Sequence, residues 1–477
     1  MATEYPADKL EAAPLPLRHE VLHDLEAAGI AYSTERDVRA DHGRDWWPLS
    51  LAAVEAGHVP HWPGAVVFPT SQEEVVKCVE IAVAHKLPLT PQGGRSGVVG
   101  GAVAPDGGIA LDLTGLSEVI DMDLVSGTVT VGAGIFGPDL EEALNNVGFT
   151  VGHFPQSFDL ATVGGWVACR GAGQLSNRYG KIEDMVRGLT VVLANGEVLH
   201  VGDRGPRQAV GPDLLSLFVG SEGTLGVITE VTLVMRPLAS FSQKAAYNFP
   251  TFGEGLDACR RMLQRGSHPA VLRLYDETES KRSFDIDGSV LIVLDEGDQL
   301  IVTAFMAIVK EECADASPLS SGLVDHWLSH RNNVSQLAPL WRNNIVVDTI
   351  EVAGPWSSLS AMHHDVIDSL LSCPGMLAAS VHQSHAYVDG ACLYFTFAGR
   401  PTGDTEEFYR NAWDVATRQV LSHGGALSHH HGVGRNRARF MPEALGSAWP
   451  VLQGVKAQLD PLAILNPGAL GLGGEPW

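Results

Sequence analysis

Three glycine-rich turns in the first half of this 477-residue chain constrain its fold more than any other feature. "PQGGRSGVVGG" (Pro91 to Gly101) sets five glycines around Arg95 and Ser96. "SFDLATVGGWVACRGAG" (Ser157 to Gly173) brings hydroxyls, a Gly-Gly pair and a helix start, and "GSEGTLGVI" (Gly220 to Ile228) turns into an apolar strand. Without Cβ the main chain can approach a ligand closely, and successive N–H groups can line an anion-binding concavity. Any one of these segments also reads as a tight turn. Three in one region, each leading into apolar sequence, point to one large phosphate-bearing cofactor. "GAGIFG" (Gly132 to Gly137) matches the nicotinamide pattern G-x-G-x-x-G between a strand and a helix. Pro138 follows at once, "FTVGHFPQSF" is a poor buried strand, and no acidic residue ends a second strand about 20 residues on, so a nicotinamide fold is disfavoured.

Around these turns the pattern is mixed. "AVVFP" reads as a strand ahead of "TSQEEVVKCVEIAVAHK", an amphipathic helix with a Ser71/Glu74 capping box. "LPLTPQ", "IALDL" and "TVTVGAG" are further strands, and a helix opens at Pro138 and closes near Gly148. "LTVVLANGEVLHVG" predicts a hairpin on Asn195-Gly196, the pair that tolerates positive φ at both positions. "TLGVITEVTLVMRP" is a strand ended by Pro237. Beyond it, helices such as "GEGLDACRRMLQR" and "WSSLSAMHHDVIDSLL" alternate with strands such as "AVLRLYD", "SVLIVLDE" and "ACLYFTFAG", predicting a second α+β unit with an antiparallel sheet. The turn-rich "LDPLAILNPGALG" is expected to return to the first unit.

Composition narrows the function classes. With 32 basic and 56 acidic residues the formal charge is −24, which argues against a nucleic-acid partner and requires any anionic substrate to find a local basic pocket. The six cysteines are scattered without a C-x-x-C pair, as expected of free thiols in a reducing compartment. No apolar run reaches the roughly 18 residues of a membrane span and no secretory signal opens the chain, so a cytoplasmic protein without a transmembrane segment is expected.

The segments "ATVGGW", "NRYGKIEDMV", "GSEGTLGVITEVTL", "VLRLYD", "DGACLYFTFAG" and "GGALSHHHGVG", in this order from about residue 60 to 460, resemble the vanillyl-alcohol oxidase superfamily, also termed the PCMH type, and within it the alkyldihydroxyacetonephosphate synthase branch. The resemblance implies an α+β architecture: an N-terminal helical segment (1–60), a two-subdomain PCMH-type FAD-binding domain (61–238), a ferredoxin-like α+β cap that holds the substrate (239–427), and a C-terminal segment (428–477) that contacts site and cofactor. It implies that Pro91, Gly93, Gly94, Arg95, Ser96 and Gly97 cradle the FAD pyrophosphate. Ser157, Asp159, Thr162, Gly164, Gly165, Cys169, Arg170, Gly171 and Ala172 would contact the cofactor next, and Glu222, Gly223, Thr224, Gly226, Val227 and Ile228 its adenine-ribose or isoalloxazine side. The first loop lacks the histidine that links flavin covalently in some relatives, so FAD is expected to be non-covalent.

For the substrate the resemblance implies Arg273, Arg342 and Arg435 as anion-holding groups, with Tyr394, His429, His430 and His431 as the catalytic, proton-handling set. Guanidinium forks suit phosphate or carboxylate, and imidazoles titrate near neutrality. The branch's reaction replaces the acyl group of acyl-dihydroxyacetone phosphate with a fatty alcohol through a flavin N5 adduct, without net redox, and would engage a lipid phosphate. Two departures support an alternative, an FAD-linked dehydrogenase or oxidase of a small 2-hydroxy acid or alcohol with His430 or His431 as base. "SHRNNVSQLAPLWRNN" is shorter and more polar than the branch's acyl-binding segment, and "LDPLAILNPGAL" resembles 2-hydroxy acid dehydrogenases. A peroxisomal address is missing, as expected of a bacterial-type cytosolic homologue. The sequence admits a homodimer without specifying one.

The histidine run also invites a metal reading. As an extended strand it would put His429 and His431 on one face and His430 on the other, two ligands at most, and no nearby cysteine or acidic residue completes a set, so no metal is expected. By the same alternation His382 and His385 fall on opposite strand faces, and at most one reaches the site.

Overall fold

The computed structural model describes residues 10–105, 107–202, 205–332, 340–341 and 343–474; Arg342 lies outside them. In the first half, Tyr32–Ser33, Ala65–Val67, Ile109–Asp112 and Leu89–Gln92 form one sheet in that order, its last three strands parallel. Val119–Asp123, Thr128–Gly132, Val227–Val234, Val186–Val192 and Val198–Gly202 form a second, antiparallel sheet. The strand before "GAGIFG" therefore pairs antiparallel on both sides, whereas a dinucleotide fingerprint needs a parallel βαβ unit.

Local signals are met with adjustments. The helix Gln72–His85 is capped by Ser71, whose hydroxyl accepts from the Glu74 N–H at 3.2 Å. The Glu74 carboxylate reaches past the cap to accept from the Thr70 N–H at 2.7 Å, so the box closes one residue early. The hairpin at Asn195-Gly196 forms, but its loop spans Leu193 to Glu197 and only Gly196 takes positive φ (81°). Asn195 instead accepts the Glu197 N–H on its side chain, which favours a longer loop over the two-residue turn.

Residues 241–399 supply one antiparallel sheet of seven strands: Ser317–Leu319, Phe241–Phe249, Ser289–Gly297, Val271–Tyr275, Met376–Ala386, Gly390–Gly399 and Val346–Pro355. Alternation divides its faces. Leu272, Leu274, Leu291, Val293, Phe395 and Phe397 pack under the helices Phe252–Gln264, Gln299–Glu312, Trp356–Leu371 and Thr405–Ser422. Val271, Tyr275, Ile292 and Leu294 join the core of the first half. The sheet's second face therefore bears on the glycine-rich turns.

Two further connections fix this arrangement. "AILN" runs back beside Leu89–Gln92, with Leu89 N–H donating to Ile464 O (2.8 Å) and Asn466 N–H to Leu89 O (2.9 Å). Trp47 near the N-terminus donates to the Tyr409 hydroxyl (3.0 Å), which donates in turn to the buried Asp348 (2.5 Å). Among the described residues, no helix is long and apolar enough to cross a membrane.

At Gly93 and Gly94 the first glycine turn has no room for a side chain. A Cβ on Gly94 would stand 1.8 Å from the Leu160 carbonyl oxygen, whereas one on Gly403 meets nothing within 4 Å. Gly94→Ala is expected to cost about 1–3 kcal/mol of stability through this overpacking, visible as a lowered Tm in thermal unfolding, while Gly403→Ala leaves the Tm unchanged.

Candidate functional site

The cofactor side is built from main chain. A Cβ on Gly93 would reach Thr162 Oγ1 at 2.1 Å, so the first and second glycine turns touch where both lack bulk. Beside them lies a cavity of about 320 Å³ lined by Gly93, Gly94, Arg95, Asp112, Thr114, Phe136 and Leu160 together with Asp41, Arg44, Asp45 and Trp46. This cradle fits a pyrophosphate held by backbone N–H groups. Arg95 adopts φ 53° and turns its guanidinium to Asp41 (2.7 Å) and Asp112 (3.5 Å), leaving its backbone rather than its charge for a phosphate. Thr162 caps the helix Val163–Cys169 by accepting the Gly165 N–H at 3.3 Å.

The side chains of other residues expected at the cofactor meet solvent or protein partners. Asp159 is exposed, and Arg170 points outward to Glu183 (3.4 Å). The side chains of Val227 and Ile228 lie in the core, and Gly226 is there because a Cβ would strike Val191. Burial pushes the Cys169 thiol up to about 12, with Glu222 adding to the shift. Glu222 accepts from the Val433 N–H (2.6 Å) and the Gly434 N–H (2.8 Å), clasping the histidine loop to the third glycine turn. Burial raises its pKa to about 7. Gly432 and Gly434, both at positive φ, allow this clasp: a Cβ would fall 2.5 Å from Glu222 Oε1 or 2.2 Å from Val99 O.

The histidine run is not an extended strand. After the bridge between Ala353 and Ala426, residues 429–431 form bends around one carboxylate. Glu351, fully buried on the strand Val346–Pro355, accepts from the Ser428 hydroxyl (2.8 Å), the His429 N–H (2.5 Å) and the His431 N–H (2.7 Å), and pairs with Arg437 at 3.1 Å. Burial opposes its ionisation, but Arg437 and the neighbouring histidines hold its carboxyl below the usual range. Curled this way, all three imidazoles come together. His429 Nδ1 bonds to His430 Nδ1 (2.8 Å) and His429 Nε2 to the Tyr387 hydroxyl (2.6 Å), while His431 Nε2 stands 3.5 Å from the Tyr394 hydroxyl. Desolvation lowers the pKa of His429 and of His431 to about 4, and that of His430 well below its ordinary value. Burial raises the Tyr394 phenol.

The strand Met376–Ala386 overturns the expected alternation. A bulge between Gln383 and His385 adds one residue, which returns His385 to the face that His382 occupies. His382 stacks on Tyr394 with ring centroids 4.8 Å apart, and His385 lies 4.8 Å from His429 and 5.1 Å from His430. Both reach the site. Cys392, on the paired strand, completes a cluster in which one ligand atom each of His385, Cys392, His429 and His430 lies within 4.8 Å of the others. The expectation that no cysteine stands near is thus corrected, because strand pairing brings Cys392 opposite His385. The His385 nitrogens already bond to Ser384 Oγ (2.8 Å) and Gly173 O (3.1 Å).

Of the arginines, Arg273 stands on the same sheet face, bonded to His382 Nε2, while His382 Nδ1 meets the buried Glu279 at 3.1 Å. Arg435 donates to Val103 O (3.1 Å) and Pro467 O (2.9 Å), bracing the loop against the first half. Sequence reasoning missed Glu351, Glu279 and Arg437. Acidic residues inside "VVDTIEVAG" were the one visible signal, since a carboxylate in a buried strand needs a partner.

Glu351→Gln leaves Arg437 buried beside a neutral amide and is expected to cost about 3–5 kcal/mol of stability in denaturant unfolding. Because the folded pKa of Glu351 lies below its unfolded value, its contribution is present above the unfolded pKa and fades as pH falls through the folded one. The gap between wild type and Glu351→Gln should therefore narrow on acidification below the ordinary carboxylate range.

A family model described as an FAD binding domain matches residues 63–202, and one described as the C-terminal domain of FAD linked oxidases matches residues 239–470. The uncharacterized FAD-linked oxidoreductase YgcU of Escherichia coli (strain K12) is 31% identical over 430 residues, covering 86% of this chain and 89% of its own. Alkyldihydroxyacetonephosphate synthase of Caenorhabditis elegans is 27% identical over 512 residues (96% and 85%), and a mitochondrial D-lactate dehydrogenase [cytochrome] of Arabidopsis thaliana 29% over 459 residues (92% and 77%). A solved alkyldihydroxyacetonephosphate synthase superimposes with a TM-score of 0.82 at 26% identity, covering 96% of this chain and 87% of that one. p-Cresol methylhydroxylase, at 17% identity over 96% of this chain and 98% of that one, shares the fold with a TM-score of 0.75. The glycine cradle, its neighbouring cavity and these matches agree: the chain belongs to the FAD-linked oxidase family, a flavoenzyme on the p-cresol methylhydroxylase type of fold with FAD as its cofactor.

Proposed function

We propose that this flavoenzyme carries out alkyldihydroxyacetonephosphate synthase-like chemistry: it binds a ketone bearing an anionic phosphate group and exchanges its acyl substituent for an alcohol without net redox. One observation carries the reading. Arg273, His382, Tyr394 and His431 form an unbroken file of contacts on the sheet face that bears on the glycine turns, joining an anion-holding guanidinium to a proton-handling phenol and imidazole. The likeness to the solved synthase over 96% of the chain supports it.

Bound FAD would supply the electron-accepting ring on which the substrate carbon is activated. Gly93 to Gly97 would hold it through main-chain N–H groups, beside a second turn whose Val163, Gly164 and Gly165 N–H groups already meet Ile135 O, Ala133 O and Thr162 Oγ1, and the absence of histidine from the first loop supports non-covalent binding. The protein's own groups then orient and move protons. Arg273, held by the Glu279–His382 pair, orients the head group. Tyr394 in its neutral form hydrogen-bonds the ketone, and neutral His431, 3.5 Å from that hydroxyl, accepts the proton that the incoming alcohol releases as the acyl group leaves as carboxylate. His429 and His430, neutral and bonded to each other, fix the loop that presents His431.

The second reading, an FAD-linked dehydrogenase of a small 2-hydroxy acid, is favoured by the D-lactate dehydrogenase relative and by a histidine cluster able to take a hydroxyl proton. Anaerobic mixing separates the two: labelled fatty alcohol incorporated into an acyl-dihydroxyacetone phosphate without loss of flavin absorbance supports the first, whereas bleaching by D-lactate overturns it.

Tyr394→Phe should reduce turnover by about 10²–10⁴-fold while FAD content, read from absorbance, is unchanged. With His431 titrating at about 4, it is neutral over the whole range above, so the acid limb of the rate profile is expected near pH 4 rather than at the ordinary imidazole value.

A further inference from the structure

Beside Arg273 stands a second guanidinium that the reaction above leaves unused. Trp327, on the helix Gly322–His330, is buried, and the Cζ atoms of Arg273 and Arg331 each lie 5.7 Å from the centroid of its indole ring. Arg331 Nη1 is buried and meets no hydrogen-bond partner among the described residues, and Arg273 Nε is in the same condition. Across from them, Gln174 donates to the Arg331 carbonyl (3.4 Å) but leaves its own Oε1 buried and unanswered. Asn177 accepts the Ala386 N–H (3.1 Å) and leaves Nδ2 unanswered. The same segment receives His385 at the Gly173 carbonyl, so this group of unmatched polar atoms adjoins the histidine cluster.

An arginine stays charged in a protein, and a buried donor without an acceptor is costly. Among the described residues here, three nitrogen donors lack an acceptor, against Gln174 Oε1 and a Ser176 hydroxyl able to donate or accept, an excess of donors suited to an oxyanion. We propose that Arg331 is a second anion-holding residue of the substrate chamber, and that with Arg273 it selects a doubly charged phosphomonoester over a single carboxylate. The proposal rests on the assignment of Arg273 as the head-group residue. Trp327 is the spacer: its ring attracts both cations, while the carboxylates of Glu279 and Glu296 act on Arg273 and Arg331 from outside that contact. Two fixed cations in a desolvated chamber favour a dianion over a monoanion, since each added negative charge interacts with both.

The test is calorimetric titration of the FAD-loaded protein with glycerol 3-phosphate and, separately, with D-lactate. Wild type should bind glycerol 3-phosphate more tightly. Arg331→Met should weaken that binding by about tenfold or more while shifting D-lactate by only about twofold, and Arg331→Lys should recover part of the loss. FAD absorbance and thermal melting report that each variant is folded; if Arg331→Met does not load FAD, the comparison of Arg331→Lys with wild type carries the test. The proposal is overturned if Arg331→Met binds glycerol 3-phosphate as wild type does, if both ligands weaken alike, or if wild type prefers D-lactate. Arg273→Met distinguishes the two failures. If it abolishes anion binding while Arg331→Met does not, only Arg331 loses its role; if neither variant changes binding, the assignment of Arg273 fails as well.

Discussion

The site depends on one buried ion pair. Glu351 and Arg437 are both fully buried, and around them close the main chain of the histidine loop, the Leu427 carbonyl and the ring of Trp413. A carboxylate inside a sheet is expensive unless every lone pair is used. Here a hydroxyl and two N–H groups donate to it, and the Arg437 guanidinium stands 3.1 Å away as its counter-charge. The same bonds that compensate the charge bend residues 428–431 out of extended geometry, which is why three consecutive imidazoles can converge on one place.

A second constraint is the bulge in Met376–Ala386. In a regular strand one of His382 and His385 would enter the helix-covered core. The extra residue keeps both on the face toward the glycine turns, so that His382 supports Arg273 and Tyr394 while His385 supports the histidine loop. One irregular residue thus joins the anion-holding and proton-handling halves of the chamber.

The glycines act in two ways. Gly93, Gly94 and Gly164 let backbone segments approach one another until no Cβ would fit, shaping the cofactor cradle. Gly432 and Gly434 instead let the C-terminal loop close onto Glu222 and Val99. Glu222, Arg435 and Asn466 bring the two halves together through bonds to main chain at Val433 and Gly434, at Val103, and at Gly101 and Glu222 respectively, which makes the chamber a product of both halves.

The order of strands and helices and a large phosphate-bearing cofactor were legible in the sequence, because glycine turns, capping residues and alternating apolar positions act over a few neighbours; the family and FAD were legible through the resemblance its motifs carry. "WSSLSAMHHDVIDSLL" is a helix over the residues expected, and the seven-stranded antiparallel sheet follows from its alternating strands. Tyr394, Arg273 and the histidine run were visible as residue types suited to proton transfer and anion binding. Their mutual geometry was not. That Glu351 gathers the loop, that Cys392 and His385 join it, and that Arg435 donates to carbonyls all depend on strand pairing and packing between residues far apart in the chain. Residue type and spacing are local properties and the sequence carries them. Which face a side chain takes after a bulge, and which buried charge finds which partner, is decided only when the whole chain closes.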